Sequence, residues 1–109
     1  MFKINTRPSF TSTVQIAVPG DDTDVHSLNV RFKALRSSEM EAHDTGTSTE
    51  GQKVFLREVI EHVDGALDED GEPVPYSEAL REELLDWPFV VSALLQHYVR
   101  DLVKAHAGN

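Results

Sequence analysis

A chain of 109 residues with 39% hydrophobic and 27% charged content has the composition of one ordinary folded domain rather than of a disordered segment. Its net charge of −9, from 19 acids against 10 bases, excludes the basic stripe of a nucleic-acid binder and disfavours anionic membrane surfaces. Cysteine is absent, which excludes disulfides, thiolate metal sites and cysteine nucleophiles.

Residues 1–10 contain Pro8 and little periodicity and are expected to form a loose arm. No signal-peptide core or membrane-length apolar run is visible, so the chain is expected to stay in the cytoplasm where it is made. Val14, Ile16 and Val18 then alternate with polar or small residues, as do Leu28, Val30, Phe32 and Ala34. Period two on both sides of "PGDDTD" predicts a β-hairpin over 11–35, turned by Pro19, Gly20 and the aspartates after them. One face, with Thr13, Gln15, Asn29, Arg31 and Lys33, is expected to meet solvent.

The remainder, 38–109, reads as helical. Ser38 with Glu41 and Thr47 with Glu50 are possible capping boxes, and Gly46 is expected to stop a short first helix. Val54, Phe55, Leu56, Val59, Ile60 and Val63 follow helical spacing up to Gly65. An acidic loop with Pro73 and Pro75 comes next. Ser77 is expected to cap a helix carrying Leu80, Leu84 and Leu85. Pro88 closes that helix and suits the first turn of another. The last helix bears the widest apolar stripe, from Val90 and Val91 through Leu94, Leu95, Tyr98, Val99 and Leu102 to Val103, and is expected to end at Gly108 and Asn109. These elements give a single α+β domain, one N-terminal hairpin followed by three to four helices, with the helices on one face of the hairpin.

Few motifs carry chemistry. The loop "VDGALDEDGEPVPYS" suggests a calcium-binding EF-hand, but with Gly71 at the sixth position the first falls on Ala66 and the twelfth on Ser77. The closing carboxylate is therefore missing, and the reading is a solvated acidic turn with no metal or other cofactor. His26, His43, His62, His97 and His106 form no pair at ligand spacing. No nucleophile elbow, phosphate loop or dinucleotide fingerprint is present, so no enzymatic activity is expected. The final apolar stripe is wider than a coiled-coil seam, leaving room for a partner or a second copy beside the core. Arg31, Leu95, Tyr98 and Leu102 are the candidate contact residues.

The order of features adds a resemblance. "PSFTSTVQIAVPG" leading into "VRFKAL" looks like the N-terminal strands of the tail assembly chaperones of long-tailed bacteriophages and prophages. "REVIEHVDGALDEDGEPVPYSEALREELLDWPFVVSALLQHY" resembles that family's central run of helix, "DG", acidic loop, "PYS"-type turn, leucine helix, proline break and final helix. The likeness spans about residues 9 to 109. A tryptophan common in the family is replaced here by His62 or Val63, and "EMEAHDTGTSTEG" is not distinctive. The resemblance implies a non-enzymatic protein of the bacterial host cytoplasm. Such a protein binds the tape measure protein, keeps it soluble, helps recruit tail tube protein, and is absent from the mature virion. The main alternative is a small acidic prophage-encoded inhibitor or nucleic-acid mimic. The clustering of acids at 64–72 and 78–86 fits an elongated mimic poorly. A module regulated by a divalent cation is a third reading, weakened by the loop count.

Overall fold

The computed structural model describes Ile4, residues 7–21 and residues 26–107, with side chains described as far as Val103. The chain forms one α+β domain, a three-stranded antiparallel sheet covered by helices. Strands β1 (Ser9–Ile16) and β2 (His26–Lys33) make the expected hairpin, paired without a break from Ser9 opposite Lys33 to Ile16 opposite His26. Asp22 and Asp24 of the expected turn lie outside the described residues. Alternation places Ser12, Val14 and Ile16 from β1 and Leu28, Val30 and Phe32 from β2 in the interior. Thr13, Gln15, Asn29 and Arg31 are exposed on the other face, while Lys33 is half-buried.

The arm is shorter than its sequence suggests. Ser9 and Phe10 belong to β1, the Pro8 carbonyl accepts from Ala34 N–H, and Arg7 reaches across to Glu39. The five-residue helix α1 (Ser37–Glu41) begins one residue before the expected Ser38, and Glu39 rather than Glu41 accepts the free N–H of Arg36. It also ends before Gly46. Helix α2 (Thr49–Val59) starts from Ser48, whose hydroxyl accepts from Gly51 N–H, and not from Thr47.

Residues Ile60–Asp64 do not continue the helix; they form strand β3, antiparallel to β2. Arg31 stands opposite His62 and Phe32 opposite Ile60, so Glu61 is an extra residue at a bulge. The bulge explains why both Ile60 and Val63 are buried. Three residues apart, they would point to opposite faces of a regular strand. With Glu61 inserted they share the inward face. That spacing of three, added to Val59 and Leu56, imitates helical periodicity in the sequence.

Gly65, with φ of +101°, turns the chain out of β3 in a conformation that side-chain-bearing residues rarely adopt. The acidic connector then folds on itself. Leu67 bridges Pro73, Val74 N–H donates to the Ala66 carbonyl, and Asp68 and Glu72 are joined through their backbones. The Asp68 carboxylate accepts the N–H groups of both Asp70 and Glu72, so it closes the turn by capping backbone.

Helix α3 (Glu78–Leu85) is capped by Ser77, whose hydroxyl accepts from Leu80 N–H at 3.1 Å. Helix α4 (Pro88–Ala107) follows with Pro88 in its first turn. The expected stop at Gly108 and Asn109 lies outside the described residues. α4 packs chiefly along β1, one of the two edge strands of the sheet. His97 accepts the Gln15 N–H through Nε2 and donates from Nδ1 to the Ala93 carbonyl, which ties α4 to β1. Ser12, itself buried, donates its hydroxyl to Asp101 one turn further on. Burial works to raise the Asp101 pKa, but hydrogen bonds from Arg100 and Ser12, with the positive charge of Arg100, prevail and hold it below the usual range.

The core centres on rings. Tyr98 lies 5.1 Å from both Phe32 and Phe55, nearly perpendicular to each, and 5.4 Å from Phe10. Three separate segments of chain are thereby tied to α4 through one side chain.

Candidate functional site

A cleft of about 580 Å³ opens at the end of the domain where the connector, the sheet and the α3–α4 corner meet. Ile16, Val18 and Leu28 form the sheet wall. Ala66 and Leu67 come from the connector, held in place by Gly65 and the Asp68 turn. Leu80 and Leu84 of α3, Trp87 of the corner, and Phe89 and Val90 of α4 make the remaining wall. The volume is in the range of ligand-sized pockets.

Most residues on the wall are aliphatic or aromatic, but backbone and polar side chains make up about half of its exposed surface. Its polar side chains are His26, Ser27 and Glu83. His26 pairs with Asp21 at 2.9 Å, while Glu83 on the lining has no ion-pair partner among the described residues. Two of the most exposed large apolar residues belong to this cleft: Leu67 is 62% exposed and Trp87 57%. Trp87 stands 5.7 Å from Phe89, so the lip carries an adjacent pair of aromatic rings. Exposed apolar side chains concentrated around a concavity mark an interaction surface more strongly than scattered ones do.

The corner that presents Trp87 is set by local sequence. α3 ends with Asp86 N–H donating to the Glu83 and Leu84 carbonyls, and Trp87 N–H also donates to Leu84. Pro88 prevents a continuous helix, because the residue before a proline is pushed away from helical backbone geometry. The chain therefore bends at Trp87, and its indole projects instead of packing along a helix face.

The four candidate contacts fall elsewhere. Tyr98 is fully buried; its hydroxyl accepts from Leu35 N–H and donates to the Lys33 carbonyl, so it serves the core and offers no surface to a partner. Leu95 is half-buried and lines a smaller depression of about 280 Å³ with Gln52, Val91 and Gln96. Leu102 packs partly against the core. Arg31 is exposed on the solvated sheet face, 3.3 Å from Glu61. None lines the cleft. Trp87, Leu67 and Phe89 were missed because only the third strand and the proline corner bring them together, although a tryptophan directly before proline was a local signal.

Among the described residues no three His, Cys, Asp or Glu side chains are grouped to hold a metal ion. No helix of the described residues is long and apolar enough to cross a membrane. The fold and the cleft together define a small acidic α+β domain with a recess lipped by Leu67 and Trp87. Comparison with protein families, curated proteins and solved structures finds no match to this chain.

Proposed function

We propose that this protein is a non-enzymatic tail assembly chaperone that binds the tape measure protein of a long-tailed phage and keeps it from aggregating until the tail is built. The single observation that carries the reading is the order of sequence features from the hairpin through "VDG", the acidic connector, "PYS" and the proline-broken helices. The cleft, with Leu67 and Trp87 exposed at its lip, supports it physically. A tape measure protein is long and helical with exposed apolar stripes, and an aromatic-lipped recess on an acidic body can cover such a stripe while keeping the assembly dispersed. Recruitment of tail tube protein, self-association, action in the host cytoplasm and absence from the virion belong to the same reading.

The test is co-expression with a fragment of the tape measure protein encoded in the same gene cluster. The fragment is expected to move from the insoluble to the soluble fraction and to co-purify with this chain. A fragment that stays insoluble and unbound contradicts the reading.

A further inference from the structure

We infer that the outer edge of β1 is a docking site for a strand of a partner protein, an extended, uncharged segment with no helix packed beneath it. In an antiparallel pair only alternate residues exchange hydrogen bonds with the neighbouring strand. The Ala34 N–H donates to the Pro8 carbonyl, and from there the bonded pairs are Phe10 with Phe32, Ser12 with Val30 and Val14 with Leu28. The backbone groups of Thr11, Thr13 and Gln15 therefore point away from β2, off the edge of the sheet. Gln15 bears this out, because its N–H donates to His97 of α4 at 3.3 Å. Among the described residues nothing pairs with the backbone of Thr11 or Thr13. Groups left in that state need water or another backbone.

The two edges of the sheet differ in how they are guarded. β3 has five residues, a bulge at Glu61, and ionisable side chains at Glu61, His62 and Asp64. Shortness, bulges and charge all hinder edge-to-edge pairing. β1 has eight residues in unbroken register and no charged side chain. Pairing there is governed by backbone hydrogen bonds that extend the β1–β2 ladder outward by one strand. A second copy of β1 does not fit. Two β1 strands related by a two-fold axis would lie about 4.8 Å apart. Because α4 packs along β1, both α4 helices would come with them on the same face, and helices need about 8–10 Å between axes. A strand without such a helix avoids that clash. β-branched residues opposite Thr11 and Thr13 pair best, and β1 offers no countercharge to a charged one. The inference goes beyond the chaperone reading and does not depend on it.

The probe is a short capped peptide alternating threonine and valine, N-methylated at every second residue so that one of its edges is blocked and it cannot stack on itself. A comparison peptide carries methyl groups on both edges. Amide hydrogen exchange of the full chain is followed residue by residue by NMR. The Thr11 and Thr13 amides are expected to exchange quickly in the free chain and about tenfold more slowly with the one-edge peptide at saturation. The peptide blocked on both edges is expected to bind about tenfold more weakly, because it has no free row of N–H groups to offer. Unchanged exchange at Thr11 and Thr13, or equal binding of the two peptides, overturns the inference. So does slowed exchange at these two amides that grows with the concentration of the chain alone, which would give the edge to a second copy. The two proposals fail separately. Solubilisation of a tape measure fragment without any peptide effect leaves the chaperone reading standing and removes this site, and the reverse pattern does the opposite.

Discussion

Tyr98 spends its hydroxyl on two backbone groups, the Leu35 N–H at 3.0 Å and the Lys33 carbonyl at 2.9 Å, at the place where β2 ends and the chain turns toward α1. Replacing it with phenylalanine keeps the ring contacts but leaves both backbone groups unpaired. Tyr98→Phe is expected to cost about 1–3 kcal/mol, read as a lower urea midpoint at unchanged slope. A loss indistinguishable from zero would show that the hydroxyl does not hold the end of β2. At this scale the sequence was partly legible. The stripe position of Tyr98 marked it as apolar-facing, but nothing local said that its hydroxyl finds partners 63 and 65 positions away. That is why it looked as fit for a partner surface as for the core. Ser12 and the Nε2 of His97 were opaque for the same reason, since their partners lie on the opposite element.

At the scale of elements, the link between the N-terminal segment and α1 is electrostatic. Arg7 donates both terminal nitrogens of its guanidinium to the Glu39 carboxylate, at 2.8 and 2.9 Å. That interaction, with the Arg36 N–H, holds the Glu39 pKa down at about 2. A carboxylate with a depressed folded-state value stabilises the fold above its ordinary range, and the contribution is lost as pH falls through the folded value. The tie is therefore expected to weaken only in strong acid. In Arg7→Ala, the Glu39 side-chain resonance followed by NMR is expected to titrate at clearly higher pH, toward the ordinary carboxylate range. An unmoved midpoint would place the cause in the Arg36 backbone alone. The helices were legible as elements because their caps and prolines are local signals: Ser77 and Pro88 act as their types suggest. β3 was hidden because a bulged strand with Ile60 and Val63 inward carries the same spacing as a helix, and its strand character comes from pairing with β2.

At the scale of the whole molecule, the missed strand and the missed cleft are one omission. β3 carries the chain back across the sheet, so Gly65, Ala66 and Leu67 emerge beside the start of β2 and opposite the α3–α4 corner. Without it, the residues around Leu28, Leu67 and Trp87 have no reason to converge. The acidic connector, which resembled a cation loop in sequence, instead uses Asp68 to hold a turn whose apolar member, Leu67, forms one lip of the recess. The apolar stripe of α4 divides between core and surface. Val90, Val91, Leu94 and Tyr98 are buried, while Val99 and Val103 face outward. The most direct test of the central claim is hydrogen exchange on this chain alone and in complex with its co-purified tape measure fragment. The account predicts added protection confined to the segments that line the cleft: the sheet ends at 16–18 and 26–28, the connector around 65–67 and the corner from 80 to 90. Protection spread along the outer face of α4, or no change anywhere when the complex forms, would contradict it.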